Sequence, residues 1–298
     1  MATGKRWGRV IGWGLTALVL AMAAIVGMGL FLAGRKTDRV VEVDAKPLAY
    51  VQDAVALERG RYLYQTRGCV DCHGASGTGR EFASGGAGLR IVGPNITLAG
   101  VTKAYREVDW VRTLRHGVKP DGRAVRVMPA EDYARLTDPD LAALTAYVRS
   151  LPAAKGEAAV VELPLPARLA FGFGVIPDAV ERIAAVGGPA AAPASTSLGA
   201  YAANMCIGCH GPGLSGGRIP GGPPDWPAAP NLTPGSESAM ARYANVEAFV
   251  AMMRSGRAPD GRSVRVMPFE SLAKIDDTEL RALHAHLVSL APRAGGTR

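Results

Sequence analysis

The segment CVDCHG, Cys69–Gly74, returns as CIGCHG, Cys206–Gly211, and these two stretches hold all four cysteines of the chain. No cysteine is left for a disulfide elsewhere, so cysteine serves chemistry at two places. The surroundings repeat too. LRHGVKPDGRAVRVMP (Leu114–Pro129) returns as MRSGRAPDGRSVRVMP (Met253–Pro268), GPNIT (Gly93–Thr97) as APNLT (Ala229–Thr233), and DPDLAALTAYVRSLP (Asp138–Pro152) as DTELRALHAHLVSLA (Asp277–Ala291). The elements keep one order, so two copies of one unit share the 298 residues.

Each copy reads as a small helical unit. A short helix leads into each CxxCH, and a glycine-rich loop follows it. Helical spacing places Val108, Val111 and Leu114 on one face of a middle helix, matched by Val246, Phe249, Val250 and Met253. A PDGR turn leads to Met-Pro. A closing helix then presents Leu141, Leu144 and Val148, or Leu280, Leu283 and Leu287, with Asp138 and Asp277 as expected N-caps. Neither copy shows the alternation of a strand. Between the copies, residues 153–196 are rich in Ala, Pro and Gly. ELPLPARLAFGFGVIPDAVERI is too apolar for a free tether and is expected to pack on one unit or across both, whereas GGPAAAPAST reads as a flexible joint.

In a helical turn, positions i, i+3 and i+4 share a face. Cys69 and Cys72 can therefore add to the two vinyl groups of a haem with His73 beneath the iron, and Cys206, Cys209 and His210 can do the same. Two alternatives compete. A zinc site would draw four thiolates from pairs that lie 137 residues apart, in different copies. A redox dithiol wants a βαβ setting that is missing.

A second axial ligand must recur in both copies. Met128 and Met267 do, each in VRVMP, and a thioether there would raise the reduction potential. Met252 and Met253 read as core residues on an apolar helix, and Met205 and Met240 lack counterparts. His116, His284 and His286 align with Ser255, Thr145 and Tyr147, so they read as surface or packing residues. The haem histidine needs an acceptor for its other ring nitrogen, a role open to the carbonyls of Pro94 and Pro230; the alternative is an ordinary Pro-Asn turn. Arg115, Arg123 and Arg126, with Arg254, Arg262 and Arg265, are either propionate partners or solvated.

Val10–Ala33 runs for 24 residues without a charge, long enough to cross a hydrocarbon core of about 30 Å, and Trp7 and Trp13 lie near its start. We read it as an uncleaved anchor. The alternative is a signal peptide cut at Ala21-Met22-Ala23, which would leave AIVGMGLFLAG as a greasy terminus. Flanking charge does not orient it: Lys5, Arg6 and Arg9 precede it, and Arg35, Lys36 and Arg39 follow. The net charge is +8, but residues 1–36 account for +5 of it and no basic run interleaved with aromatics follows, so nucleic acid is not expected as a partner.

Each copy resembles a class I cytochrome c domain: CxxCH near the start, a Pro-Asn loop, a Met-Pro loop and a closing helix. The stretch from PNIT to VRSLP is similar to the cytochrome c subunits of membrane-bound bacterial alcohol, aldehyde, gluconate and sorbitol dehydrogenases. Those subunits commonly carry three haem domains; this chain carries two, with its anchor at the N-terminus. The resemblance implies that Pro94 and Pro230 accept the bond from His73 and His210. The expected fold is mainly α, an N-terminal transmembrane helix before two tandem class I cytochrome c domains. The expected division is an anchor at 1–36, a linker at 37–54, domains at 55–152 and 197–292 with a linker at 153–196, and a tail at 293–298.

The expected cofactors are two covalently bound haem c. Their attachment takes place beyond the inner membrane, so the N-terminus is expected in the cytoplasm and the haem domains in the periplasm. The expected function is electron relay from a periplasmic dehydrogenase subunit to a respiratory acceptor such as quinone or a terminal oxidase. The competing expectation is a dihaem enzyme of peroxidase or thiosulfate-oxidising type with one open iron, against which an intact Met-Pro stands in both copies. Nothing catalytic is expected of the chain on its own.

Overall fold

A computed structural model describes residues 3–296. Residues 1, 2, 297 and 298, the outer ends of the expected anchor and tail, lie outside it, as do the side chains of Lys5 and Arg6 that entered the charge comparison.

The chain opens with α1, Thr3–Asp38. The first unit contains α2 (Ala54–Thr66), α3 (Cys69–His73), α4 (Glu107–His116), α5 (Ala130–Tyr133) and α6 (Asp138–Ser150). Two helices follow in the connection, α7 (Leu165–Gly172) and α8 (Ala179–Ala185). The second unit repeats the plan in α9 (Leu198–Ala203), α10 (Ile207–His210), α11 (Val246–Ser255), α12 (Phe269–Leu272) and α13 (Asp277–Ser289). The chain is mainly helical, as expected.

In each unit the leading helix crosses the closing helix at a glycine. A Cβ on Gly60 of α2 would lie 2.0 Å from the carbonyl oxygen of Ala143 on α6; on Gly199 of α9 it would lie 2.1 Å from that of Ala282 on α13. Only a bare backbone permits this approach. Around the first crossing pack Leu63, Tyr64, Val70, Trp110, Val111, Leu141, Leu144 and Val148, all buried. Around the second pack Ile207, Phe249, Met252, Met253, Ile275, Leu280, Leu283 and Leu287. Met252 and Met253 are core residues, as read. The middle helix of the first unit is rotated from its expected face. Trp110 and Val111 are buried, while Val108 is half-buried and Leu114 packs at the edge of the core.

Two expectations are corrected. Both closing helices are capped one residue earlier than Asp138 and Asp277. Thr137 accepts from Asp140 N, and Asp276 from Glu279 N. An N-cap needs extended backbone and a side chain that reaches the third helical N–H, and Thr137 and Asp276 have ψ of 156° and 159°. Asp138 and Asp277 instead fill the first helical position.

Strands are present too. β1 (Arg80–Gly85) and β2 (Leu89–Gly93) form an antiparallel pair in the loop after the first CxxCH, and β3 (Val160–Glu162) adds to β2 from the connection. β1 is exposed along nearly its whole length, so no side is apolar and no alternation is written into the sequence.

The recurring arginines also make bonds within the protein. Arg115 bonds Asp138 at 2.7 Å and Leu136 O at 2.6 Å; Arg254 bonds Asp277 at 2.6 Å and the Ala273 carbonyl. Arg123 and Arg262 pair with the aspartates of their own PDGR turns, Asp121 and Asp260, each at 2.7 Å. Four of the six thus brace loops. Arg126 reaches Val161 O at 3.4 Å, and Arg265 is exposed.

The apolar part of the connection packs, α8 on the first unit as expected but α7 on the opening helix rather than on either unit. α7 lies on α1 and α8 lies on α5. The segment before the first unit is also held: Val41 N donates to Gly122 O at 2.8 Å, and Leu48 and Tyr50 pack on the first core. By length and composition Arg9–Asp38 is apolar enough to cross a membrane, with a mean hydropathy of 2.5, and Trp7, Val10, Trp13 and Val19 are each more than 60% exposed. So much bare apolar surface marks a face made for a partner or a lipid phase.

Candidate functional site

Both CxxCH segments form the expected helical turn. The first is α3, entered through Gly68 at φ 80°. The second begins as a 3₁₀ turn at Asn204–Cys206 and continues as α10. Gly74 and Gly211 then leave the turn at φ 70° and 78°, the left-handed region that glycine enters without a Cβ clash.

Each histidine is held from behind. His73 Nδ1 lies 2.8 Å from Pro94 O, and His210 Nδ1 lies 2.9 Å from Pro230 O. A carbonyl only accepts, so Nδ1 carries the proton in both rings and Nε2 the lone pair. Burial pulls the His73 pKa below its usual value, more than the bond to Pro94 raises it. A neutral imidazole is the form that binds a metal.

Residues that sequence reasoning passed over build this contact. Gly79 and Gly216, each six residues after the histidine, donate to His73 O and His210 O at 2.9 Å. A Cβ on Gly79 would lie 2.5 Å from Gly93 O, and one on Gly216 would lie 2.3 Å from Ala229 O. These glycines let the loop press the Pro-Asn segment onto the ring. Asn95 and Asn231 then pin that segment. Their Nδ2 groups donate to Ala154 O at 2.7 Å and Arg293 O at 2.8 Å, while Oδ1 accepts from Thr97 and Thr233. The recurrence of Asn and Thr in both copies was the signal for them.

The Met-Pro loops lie in the same units as their histidines. Met128 packs at the edge of the first core, as does Cys69; Met267 packs at the edge of the second, as does Cys206. The two loops are held differently. Arg182 of α8 reaches across to donate to Met128 O at 2.7 Å and to both oxygens of Glu131 at 2.9 and 2.8 Å. Among the described residues no such arginine pairs with Met267. There Val266, a β-branched residue, takes φ 77°, a strained conformation. Arg182 lies in the connection between the copies, so no recurrence pointed to it.

Cys69, Cys72 and Cys206 are partly buried, while Cys209 is exposed. Burial, more than the neighbouring Cys72, pushes Cys69 up to about 12; burial likewise pushes Cys206 up to about 12 and Cys72 up to about 11. Such sulfurs suit neutral thioether links better than thiolates. Among the described residues no three of His, Cys, Asp and Glu converge as a site for a bare ion. The Trp110 indole N–H is buried with no acceptor. An unpaired buried donor costs about 1–3 kcal/mol. A haem, with vinyl groups for the thiols, iron for the imidazole and carboxylates for buried donors, fits this donor set.

The two units meet across a pseudo-twofold interface. Gly208 N, between Cys206 and Cys209, donates to Asp132 Oδ1 at 3.0 Å; the Ser271 hydroxyl donates to Asp71 Oδ2, between Cys69 and Cys72, at 2.7 Å. Asp132 and Ser271 each stand four residues after their methionine. Each attachment turn therefore rests on the methionine loop of the other unit. The Tyr62 hydroxyl donates to Glu279 at 2.5 Å and accepts from Asp276 N at 3.2 Å; the Tyr201 hydroxyl donates to Asp140 at 2.6 Å and accepts from Thr137 N at 3.2 Å. Arg67 pairs with Glu279, both fully buried.

Residues 57–152 match the family described as cytochrome c, and residues 192–287 match that described as cytochrome c oxidase, cbb3-type, subunit III. The cytochrome c subunit of alcohol dehydrogenase (quinone) from Gluconobacter oxydans (strain 621H) is 28% identical over 81% of this chain and 56% of its own length. The fructose dehydrogenase cytochrome subunit of Gluconobacter japonicus is 30% identical over 40% of this chain and 25% of its own. The gluconate 2-dehydrogenase cytochrome c subunit of Pantoea cypripedii is 36% identical over 30% and 22%. The chain thus matches about half or less of the length of these relatives.

Proposed function

Because this chain carries two cytochrome c domains, which imply haem c, we propose that it is a membrane-anchored dihaem electron relay. Cys69 and Cys72 hold one haem c and Cys206 and Cys209 the other. His73 and Met128 would bind the first iron and His210 and Met267 the second, with Pro94 and Pro230 orienting the two imidazoles. Residues 55–152 and 197–292 are the haem domains, with 37–54 and 153–196 linking them to the anchor and to each other. When bound, haem c supplies a one-electron couple. The chain's own residues keep each imidazole neutral and aimed, and each Met-Pro loop closed over the core.

The observation that carries this reading is recurrence. Both histidines bond a proline carbonyl, at 2.8 and 2.9 Å, and both units set a methionine loop at the core edge that their attachment cysteine borders. A site closed on both faces transfers electrons and leaves no room for substrate. The pseudo-twofold interface sets each attachment turn against the methionine loop of the other unit, which suits passage of an electron between the units.

The relatives named as cytochrome subunits of alcohol, fructose and gluconate dehydrogenases support a dehydrogenase as the electron donor. The acceptor is respiratory, a quinone or a terminal oxidase. α1 anchors the chain in the bacterial inner membrane, with the N-terminus cytoplasmic and the haem domains periplasmic. The test is the oxidised spectrum of the haem-loaded chain, with the weak far-red Met–iron band scaled to total covalent haem. Two Met-ligated haems per chain are expected. One of two would overturn the relay and point to an open iron with peroxide or thiosulfate as substrate.

A further inference from the structure

The apolar run of α1 ends at Ala33, and α7 packs on its last turns. A Cβ on Gly172 would lie 2.1 Å from Gly29 O and 2.9 Å from Ala33 N. A Cβ on Gly29 would lie 2.6 Å from Leu169 and 2.8 Å from the Phe173 ring. The two backbones therefore touch, and glycine on both sides is what allows it. On α1, the half-buried or buried residues Val26, Gly29, Leu30, Ala33 and Lys36 form one helical stripe, the stripe that α7 covers.

This contact sets a depth. Phe173 lies level with Gly29, four residues inside the apolar run, which is about 6 Å at 1.5 Å per residue. Helices that lie in a membrane surface sit about 5–10 Å into the boundary between headgroups and acyl chains.

The charges sit just beyond. Lys36 Nζ stands 4.6 Å from the centre of the Phe171 ring, 2.6 Å from Glu181, and donates to Ile176 O at 3.0 Å. Arg39 pairs with Asp178 at 2.8 Å. Along the contact, apolar packing gives way to a charged layer within two helical turns, the layering of a bilayer surface. An open groove of about 860 Å³ runs along α1 from Leu30, Phe31 and Leu32 to Arg35 and Arg39, bordered by Gly172 of α7 and Glu181 of α8.

The segment also turns apolar side chains outward. Leu165 is 46% exposed, Phe173 47% and Val175 73%, and neither unit covers them.

We propose that residues 165–176 are a second membrane-contacting element, seated in the lipid interface beside α1, with Leu165, Phe173 and Val175 against acyl chains and a phospholipid bilayer as the partner. α8 follows within three residues and Arg182 on it holds the Met128 loop. The first unit would then stand at a fixed height and tilt over the bilayer, clamped at two points. This rests on the reading of α1 as an embedded anchor.

The test uses the haem-loaded full chain in phosphatidylethanolamine/phosphatidylglycerol nanodiscs, with one nitroxide on a new cysteine in each of F173C, V175C, L20C and K155C. Accessibility to oxygen and to a water-soluble nickel chelate is read by power saturation against a nitrogen baseline, which removes relaxation caused by the irons. At positions 173 and 175 the oxygen-to-nickel ratio is expected to rise well above that at 155 and to approach that at 20. Nickel-favoured values at 173 and 175 with an oxygen-favoured value at 20 would overturn the proposal while leaving the anchor in place; the face would then belong to a protein partner. A nickel-favoured value at 20 would overturn both.

Discussion

The Tyr62 hydroxyl, on the leading helix of the first unit, donates to the Glu279 carboxylate on the closing helix of the second at 2.5 Å. Its counterpart Tyr201 does the same to Asp140 in the opposite sense. Two copies of one fold thus dock on each other by the same tyrosine–carboxylate contact made twice. Each carboxylate also holds an arginine: Glu279 pairs across the interface with buried Arg67, whereas Asp140 pairs within its own unit with the more exposed Arg59.

Removing Glu279 should therefore separate the units. E279A leaves the Arg67 guanidinium buried without its carboxylate, which costs about 3–5 kcal/mol, whereas Y62F loses one hydrogen bond at about 1 kcal/mol. Denaturant unfolding of the haem-loaded chain, followed at the Soret band, should change from one transition to two in E279A. A single transition with an unshifted midpoint would show that the docking does not depend on this pair.

Arg182 braces only one of the two methionine loops. In R182A, Glu131 stays buried without a partner and Met128 O loses its donor, so a stability loss of about 3 kcal/mol is expected. The far-red Met–iron band should fall by half on mild heating, with the Met267 share intact. Equal loss from both haems, or none, would refute the brace.

The crossing glycines admit no side chain. G60A and G199A each force a methyl to within about 2 Å of a carbonyl oxygen, an overpacking that costs about 1–3 kcal/mol or more. G86A, where a Cβ meets nothing within 4 Å, is the control and should be neutral to about 0.5 kcal/mol. Thermal midpoints that do not distinguish the three variants would count against the crossing.

Burial, more than its neighbour Glu131, raises the Asp132 carboxyl well above the ordinary carboxylate range, and the Gly208 N–H offsets only part of this. A raised pKa means the folded chain holds the proton more tightly than the unfolded chain. Its stabilising contribution is complete below the ordinary value of 3.8 and is lost as pH rises through the folded value. D132N keeps the acceptor for Gly208 but cannot ionise. It should be more stable than the parent at pH 7 and show a smaller fall in stability between pH 5 and pH 8. An identical pH slope in both proteins would rule this out.

What the sequence by itself determined is local and coded by spacing. Two CxxCH turns, the Pro-Asn and Met-Pro loops that recur with them, the apolar stripes of the closing helices and the uncharged run of α1 each declare themselves within a few residues, because covalent attachment and helical periodicity both act at short range. The tertiary structure decided the rest. Tyr62 and Glu279 are 217 positions apart, and Arg182 acts on a loop 54 residues before it. Glutamate and arginine most often face water and tyrosine is intermediate, so nothing local marks them for burial. The strand β1 was hidden for a related reason: with neither face buried, backbone pairing to β2 holds it, and backbone pairing leaves no pattern in side chains. The same holds for α7, whose apolar character was legible but whose seat against Gly29 of α1 depends on two distant glycines meeting without side chains between them.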